Sequence, residues 1–171
     1  VANVNDAPTG APVVTGTPTE DQVLTANTAT IADADGLGTF SYQWQRNGVD
    51  IVGATASTYT LGETDVGANI RVVVSYTDGQ GSAESLTSAA VGPVANVNDA
   101  PTGAPVVTGT TTEDQTLTAN TATIADADGL GTFSYQWQRN GVDIGGATGS
   151  TYTLGDADVG TNIGVVVSYT D

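Results

Sequence analysis

Residues 1–78 of this 171-residue chain recur as residues 94–171. At a shift of 93 positions the two copies differ at eight places: 18, 23, 52, 56, 63, 64, 68 and 71. A near-identical repeat must be folded twice, and each copy must bury its own core. That excludes one large enzyme core spread over the whole chain. The period defines a first copy at 1–93, a second at 94–171, and a joint around 91–101 whose sequence VANVNDAP also opens the chain. A unit of about 90 residues is a common size for a small β-sandwich.

The pattern inside one copy is that of strands. In FSYQWQR (40–46), Phe40, Tyr42 and Trp44 alternate with Ser41, Gln43 and Gln45, the period of a half-buried strand. Asn47-Gly48 follows at once and predicts a two-residue hairpin into a short return strand at 49–51. IRVVVSYT (70–77) predicts a second strand with Ile70, Val72, Val74 and Tyr76 inward. Weaker strands are expected at 12–16, 22–31 (bulged near Thr28), 58–61 and 82–90. The expected fold is all-β: tandem immunoglobulin-like β-sandwiches of about seven strands each. The second copy stops at Asp171, where the first continues through Gly79–Pro93. It therefore lacks the last strand in this segment, and the segment reads as a piece of a longer chain. Truncation or disorder past that point explains that absence; so does strand donation between chains.

Charge narrows the function. Nineteen acids face three basic residues (Arg46, Arg71 and Arg139), a net charge of −16. Such a chain is repelled by nucleic acid and by anionic membrane surfaces and attracts cations, although high charge also serves solubility. His, Cys, Met and Lys are all absent, which removes the common bases and covalent nucleophiles. Paired carboxylates could serve a glycosidase, but here they sit in loops duplicated in each copy. The chain is not expected to be an enzyme.

The acids collect in the loops. In an immunoglobulin-like topology the loop holding Asp33 and Asp35 lies at one pole with Asp78. Glu20, Asp21, Glu63 and Asp65 lie at the other. At the joint, Glu20 and Glu63 or Asp65 should meet Asn96, Asn98 and Asp99, together with Asp126, Asp128 and Asp171 of the second copy. Asn5 and Asp6 should form a matching half-site with Asp33, Asp35 and Asp78, holding an ion less well than the Asp99 region. These are hard oxygen donors without a soft one among them, a set suited to Ca²⁺ and lacking the His or Cys of zinc sites. Each feature has a plainer reading. Asn-Asp before Pro makes a turn, Asp33-Ala34-Asp35-Gly36 makes a loop turn, and Asp65 is better placed to anchor its corner by hydrogen bonds. Trp44, Tyr42 and Tyr59 belong in the core rather than on a sugar-stacking surface.

The run SYQWQRNGVDIVGATASTYTLGETDVGANIRVVVSYTDG resembles the bacterial immunoglobulin-like repeats of very large RTX-type surface adhesins. Trp44, Asn47-Gly48, Gly53-Ala54-Thr55, Tyr59-Thr60-Leu61 and Asp65-Val66-Gly67 carry the likeness. All of them return in the second copy as Trp137, Asn140-Gly141, Gly146-Ala147-Thr148, Tyr152-Thr153-Leu154 and Asp158-Val159-Gly160. Glu20, Asn98-Asp99-Ala100-Pro101 and Asp126-Ala127-Asp128-Gly129 are similar to the interdomain calcium pattern of cadherins. The chain departs from that pattern at GETDVG, where cadherins carry Asp-Arg-Glu, and at Asn96, which stands for a leading Asp. The resemblance implies extracellular spacer repeats of a bacterial cell-surface adhesin, stiffened by Ca²⁺ at the joints, whose partners are neighbouring repeats. The alternative is an adhesive module that assembles into fibres or binds a ligand such as a glycan.

Overall fold

A computed structural model of the chain describes residues 4–171. It is all-β, with no α-helix among the described residues. The chain divides into two compact units, Val1–Val97 and Asn98–Asp171, and the division falls inside the 91–101 joint.

In the first unit, strands β1 (Val13–Thr15), β2 (Val23–Asn27) and β5 (Thr58–Thr60) form one antiparallel sheet in the order β1-β2-β5. Strands β3 (Ser41–Arg46), β4 (Val49–Asp50), β6 (Ile70–Thr77) and β7 (Ala83–Thr87) form the other, in the order β4-β3-β6-β7. This is an immunoglobulin-like β-sandwich. Period-two alternation drives β6, where Ile70, Val72, Val74 and Tyr76 are all buried. Asn47 and Gly48 both adopt positive φ (48° and 84°), as a hairpin turn matched to strand twist requires. Trp44 pairs with Val72 and is fully buried. Its indole N–H donates to the Ala56 carbonyl at 2.9 Å, and its ring stacks on Tyr59 with centroids 5.8 Å apart. Trp44 is therefore core, as its spacing implies.

The long second strand expected at 22–31 is corrected. β2 ends at Asn27, whose side-chain oxygen accepts the Ala29 N–H at 2.9 Å, and the Ile31 N–H returns to Thr28. A side-chain-capped turn replaces the bulge. Ile31 is still buried, because the turn folds it back onto the core.

After β7 the chain keeps pairing. Val91 exchanges both backbone bonds with Ile70. Val94 then bridges Val66, and Ala95 bridges Thr19, both in parallel. Val94 is 3% exposed, so Val94, which the repeat period counts with the second copy, completes the core of the first. Burying one Val contributes about 2 kcal/mol.

The second unit repeats the plan. β8 (Val106–Thr108), β9 (Thr116–Asn120) and β12 (Thr151–Thr153) form one sheet, and β10 (Ser134–Arg139), β11 (Val142–Asp143) and β13 (Ile163–Ser168) the other. Trp137 pairs with Val165, the register of Trp44 and Val72 one period later. β13 is an edge strand. Accordingly Ile163 and Val165 are only half-buried, where Ile70 and Val72 are fully buried.

Candidate metal centres

The sandwich brings the loop between β2 and β3 beside the end of β6. Asp33, Asp35 and Asp78 each present a carboxylate oxygen there, all within 4.8 Å of one another. Local bonds place each one. Asp33 accepts the Asp35 N–H at 2.9 Å and the Tyr76 hydroxyl at 2.6 Å. Asp35 accepts the Asp6 N–H at 2.7 Å, which fastens the joint sequence to the head of the unit. The Gly79 N–H donates to the Asp35 carbonyl at 3.0 Å. Gly38 lies so close to β6 that a Cβ there would sit 1.9 Å from the Thr77 carbonyl oxygen; only glycine allows the two segments to meet.

Asp78 is the least satisfied member. Its Oδ1 accepts the N–H groups of Gln80 and Ser82, each at 2.8 Å. Its Oδ2 is buried and has no hydrogen-bond partner. Burial opposes the charge of Asp78, but the N–H groups around it win and hold its carboxyl below the usual range. A buried carboxylate oxygen without a donor is a costly arrangement unless something else satisfies it. Burial, and then the bond to Asp33, push the Tyr76 phenol well above its usual range, so that hydroxyl stays a donor to the cluster.

The second unit rebuilds this head. Asp126, Asp128 and Asp171 offer oxygens within 4.8 Å of one another. Asp128 accepts the Asp99 N–H at 2.6 Å and Asp126 accepts the Asp128 N–H at 3.1 Å. The Tyr169 hydroxyl donates to Asp126, and that bond, with burial, pushes its phenol up to about 12. Asp171 is exposed, where Asp78 is buried under the N–H groups of Gln80 and Ser82.

At the opposite pole of the first unit, Glu20 is buried and accepts the Val97 N–H at 3.2 Å. Oxygens of Glu20 and Glu63 come within 4.8 Å of one another. Asp65 is committed elsewhere: it accepts from Arg46 Nε at 2.7 Å, the Tyr59 hydroxyl at 2.8 Å and the Gly62 N–H at 3.0 Å. It is a corner anchor, as Asp158 is in the second unit. Asn5 gives its amide to Glu84 at 2.8 Å, and Asn98 gives its own to the Asp99 carbonyl at 3.1 Å. Asn96 is exposed. The tyrosines that hold Asp33 and Asp126 escape a reading aimed at acids, although Tyr76 and Tyr169 stand two residues before Asp78 and Asp171 on the inward side of their strands.

Hard oxygen donors alone, three carboxylates in each head and an orphaned buried oxygen in the first, fit Ca²⁺ better than any softer ion. Asp33, Asp35 and Asp78 would hold it in the first unit and Asp126, Asp128 and Asp171 in the second. No family model matches this chain, and no curated protein matches it.

Proposed function

We propose that the chain is a pair of non-catalytic spacer repeats from the extender region of a bacterial cell-surface adhesin, working outside the cell and holding Ca²⁺ at the head of each unit. The observation that carries this is the recurrence of the same three-carboxylate head in both units, with the buried Asp78 Oδ2 left without a partner. Each head also takes a backbone N–H from the preceding joint sequence, Asp6 in one unit and Asp99 in the other. Bound Ca²⁺ would relieve the mutual repulsion of the carboxylates and clamp the joint sequence to the sandwich. A clamped joint resists bending, which is what a spacer needs.

The test is calorimetry and X-ray scattering with Ca²⁺ and with EDTA. Ca²⁺ should raise the melting temperature and narrow the spread of molecular dimensions. If neither changes, this reading is wrong.

A further inference from the structure

Away from the carboxylate heads, the chain holds Asn followed by Gly at two places, Asn47-Gly48 and Asn140-Gly141. Both pairs form the exposed two-residue turn of a hairpin. Every other Asn is followed by Val, Asp, Thr or Ile, whose side chain shields the next backbone nitrogen. The two turns leave that nitrogen open. Among the described residues the N–H groups of Gly48 and Gly141 donate to no acceptor. The side-chain oxygen is held instead: Asn47 Oδ1 accepts the Asn69 N–H, and Asn140 Oδ1 the Asn162 N–H, each at 2.9 Å. A donor on a carbonyl oxygen stabilises the oxyanion that forms when a nucleophile adds to its carbon. The Asp-Gly pairs of the heads are built differently. Their Gly36, Gly79 and Gly129 N–H groups donate to the carbonyls of Asp33, Asp35 and Asp126.

The two hairpins differ in one neighbour. Arg71 bonds Gln45 Oε1 through Nε at 2.6 Å, and its Nη2 would lie 3.3 Å from a Cβ at Gly48. One period later stands Gly164, and no atom lies within 4 Å of a Cβ at Gly141. Arg46 and Arg139 are both paired with acids. Among the described residues Arg71 has no such partner, so its charge is directed at the turn.

We propose that Asn47 is a site of spontaneous deamidation, assisted by the Asn69 N–H and by the Arg71 guanidinium. The Gly48 nitrogen gives its proton to water and adds to Asn47 Cγ, forming an N–Cγ bond. The Cγ–Nδ2 bond breaks, and the amide nitrogen takes up a proton and leaves as ammonia. Water then opens the cyclic imide at either carbonyl, leaving an aspartate at position 47 or its β-linked isomer. The aspartate keeps the bond from Asn69 and gains Arg71 as a counter-ion. The isomer adds one backbone atom to a two-residue turn, which disturbs the pairing of Arg46 with Val49.

The test incubates the folded 171-residue chain at mildly alkaline pH and follows Asn47 and Asn140 by peptide mass mapping, with an isoaspartyl methyltransferase assay for the isomer. Asn47 should convert about threefold faster than Asn140, the worth of an exposed charge contact. Arg71→Gly should bring Asn47 down to the Asn140 rate, and Arg71→Lys should keep most of the difference. Gly164 already occupies the matching position of the second unit, so Arg71→Gly tests the charge and not the fold. In urea, where Arg71 is no longer held beside the turn, the two rates should converge. An Asn47 that stays intact while a free peptide of residues 44–51 converts overturns the inference, and so does an Arg71→Gly chain that deamidates at the unaltered rate.

Discussion

The Tyr76 hydroxyl donates to Asp33 Oδ2 at 2.6 Å, so the first acid of the head is held by a side chain rooted in the core strand β6. Tyr76 is 5% exposed, and its ring packs edge-on against Phe40 with centroids 5.4 Å apart. Two residues further on, the same strand delivers Asp78. One strand thus positions two of the three carboxylates, one by its own backbone and one through a tyrosine.

Tyr76→Phe keeps the ring contact and deletes this bond. A hydrogen bond to a charged group is worth about 1.5–3 kcal/mol, and Asp33 is partly solvated, so a loss of about 1 kcal/mol in urea unfolding is expected. Calcium affinity should fall at the same time, because Asp33 loses the group that aims it. A variant with unchanged affinity would show that the Tyr76 hydroxyl does not aim Asp33 at an ion.

Asp65→Ala should be much more damaging. Asp65 is 1% exposed and answers Arg46, Tyr59 and the Gly62 N–H. Its removal strands the Tyr59 hydroxyl and the Gly62 N–H, while the Arg46 side chain, 31% exposed, turns to water, at about 2–3 kcal/mol in all. Denaturant unfolding followed by tryptophan fluorescence should show the Trp44 unit losing stability and the Trp137 unit keeping it. The two tryptophans serve as separate reporters once each is replaced in turn by Phe.

Stability should also depend on pH at both ends of the scale. Burial works against the charge of Asp158, but the Gly155 N–H, Arg139 and Tyr152 hold its carboxyl below the usual range. Its contribution is complete above the ordinary carboxylate value of about 3.9 and disappears as pH falls below that value toward its own depressed one. Tyr169 has the opposite sign. Its phenol is pushed up to about 12, so its contribution is complete below the ordinary value of about 10 and disappears as pH rises toward 12. Melting temperatures across pH should fall on both flanks, and Tyr169→Phe should flatten the alkaline one.

The features legible in the sequence are those that rest on local periodicity. Strands β3 and β6 and the Asn47-Gly48 hairpin follow from alternation and turn chemistry, and the repeat then places both heads. Asp65 as an anchor was also legible in kind, though its partner Arg46 lies 19 residues away and no spacing rule joins them. The sequence pattern overextends β2 because Asn27 can cap a turn as readily as continue a strand, and the buried Ile31 imitates one more strand position. The burial of Glu20 depends on Val94–Val97 crossing back over the sandwich, a long-range pairing without a local signature.

Gly38 offers the sharpest test of how the head is built. A Cβ at Gly38 would lie 1.9 Å from the Thr77 carbonyl oxygen, one residue before Asp78 in the chain. Backbone cannot yield as a flexible side chain can, so Gly38→Ala must push the loop carrying Asp33 and Asp35 away from the end of β6. Overpacking of this kind costs about 1–3 kcal/mol. Gly53→Ala is the control: its φ is +79° and no atom lies within 4 Å of the added Cβ. It should therefore incur only left-handed backbone strain, about 1–2 kcal/mol. The two variants should lose comparable stability by urea unfolding, yet only Gly38→Ala should lower calcium affinity in the first unit, by tenfold or more in isothermal titration. Equal affinity in the two variants would mean that closeness of the loop to β6 does not assemble the site.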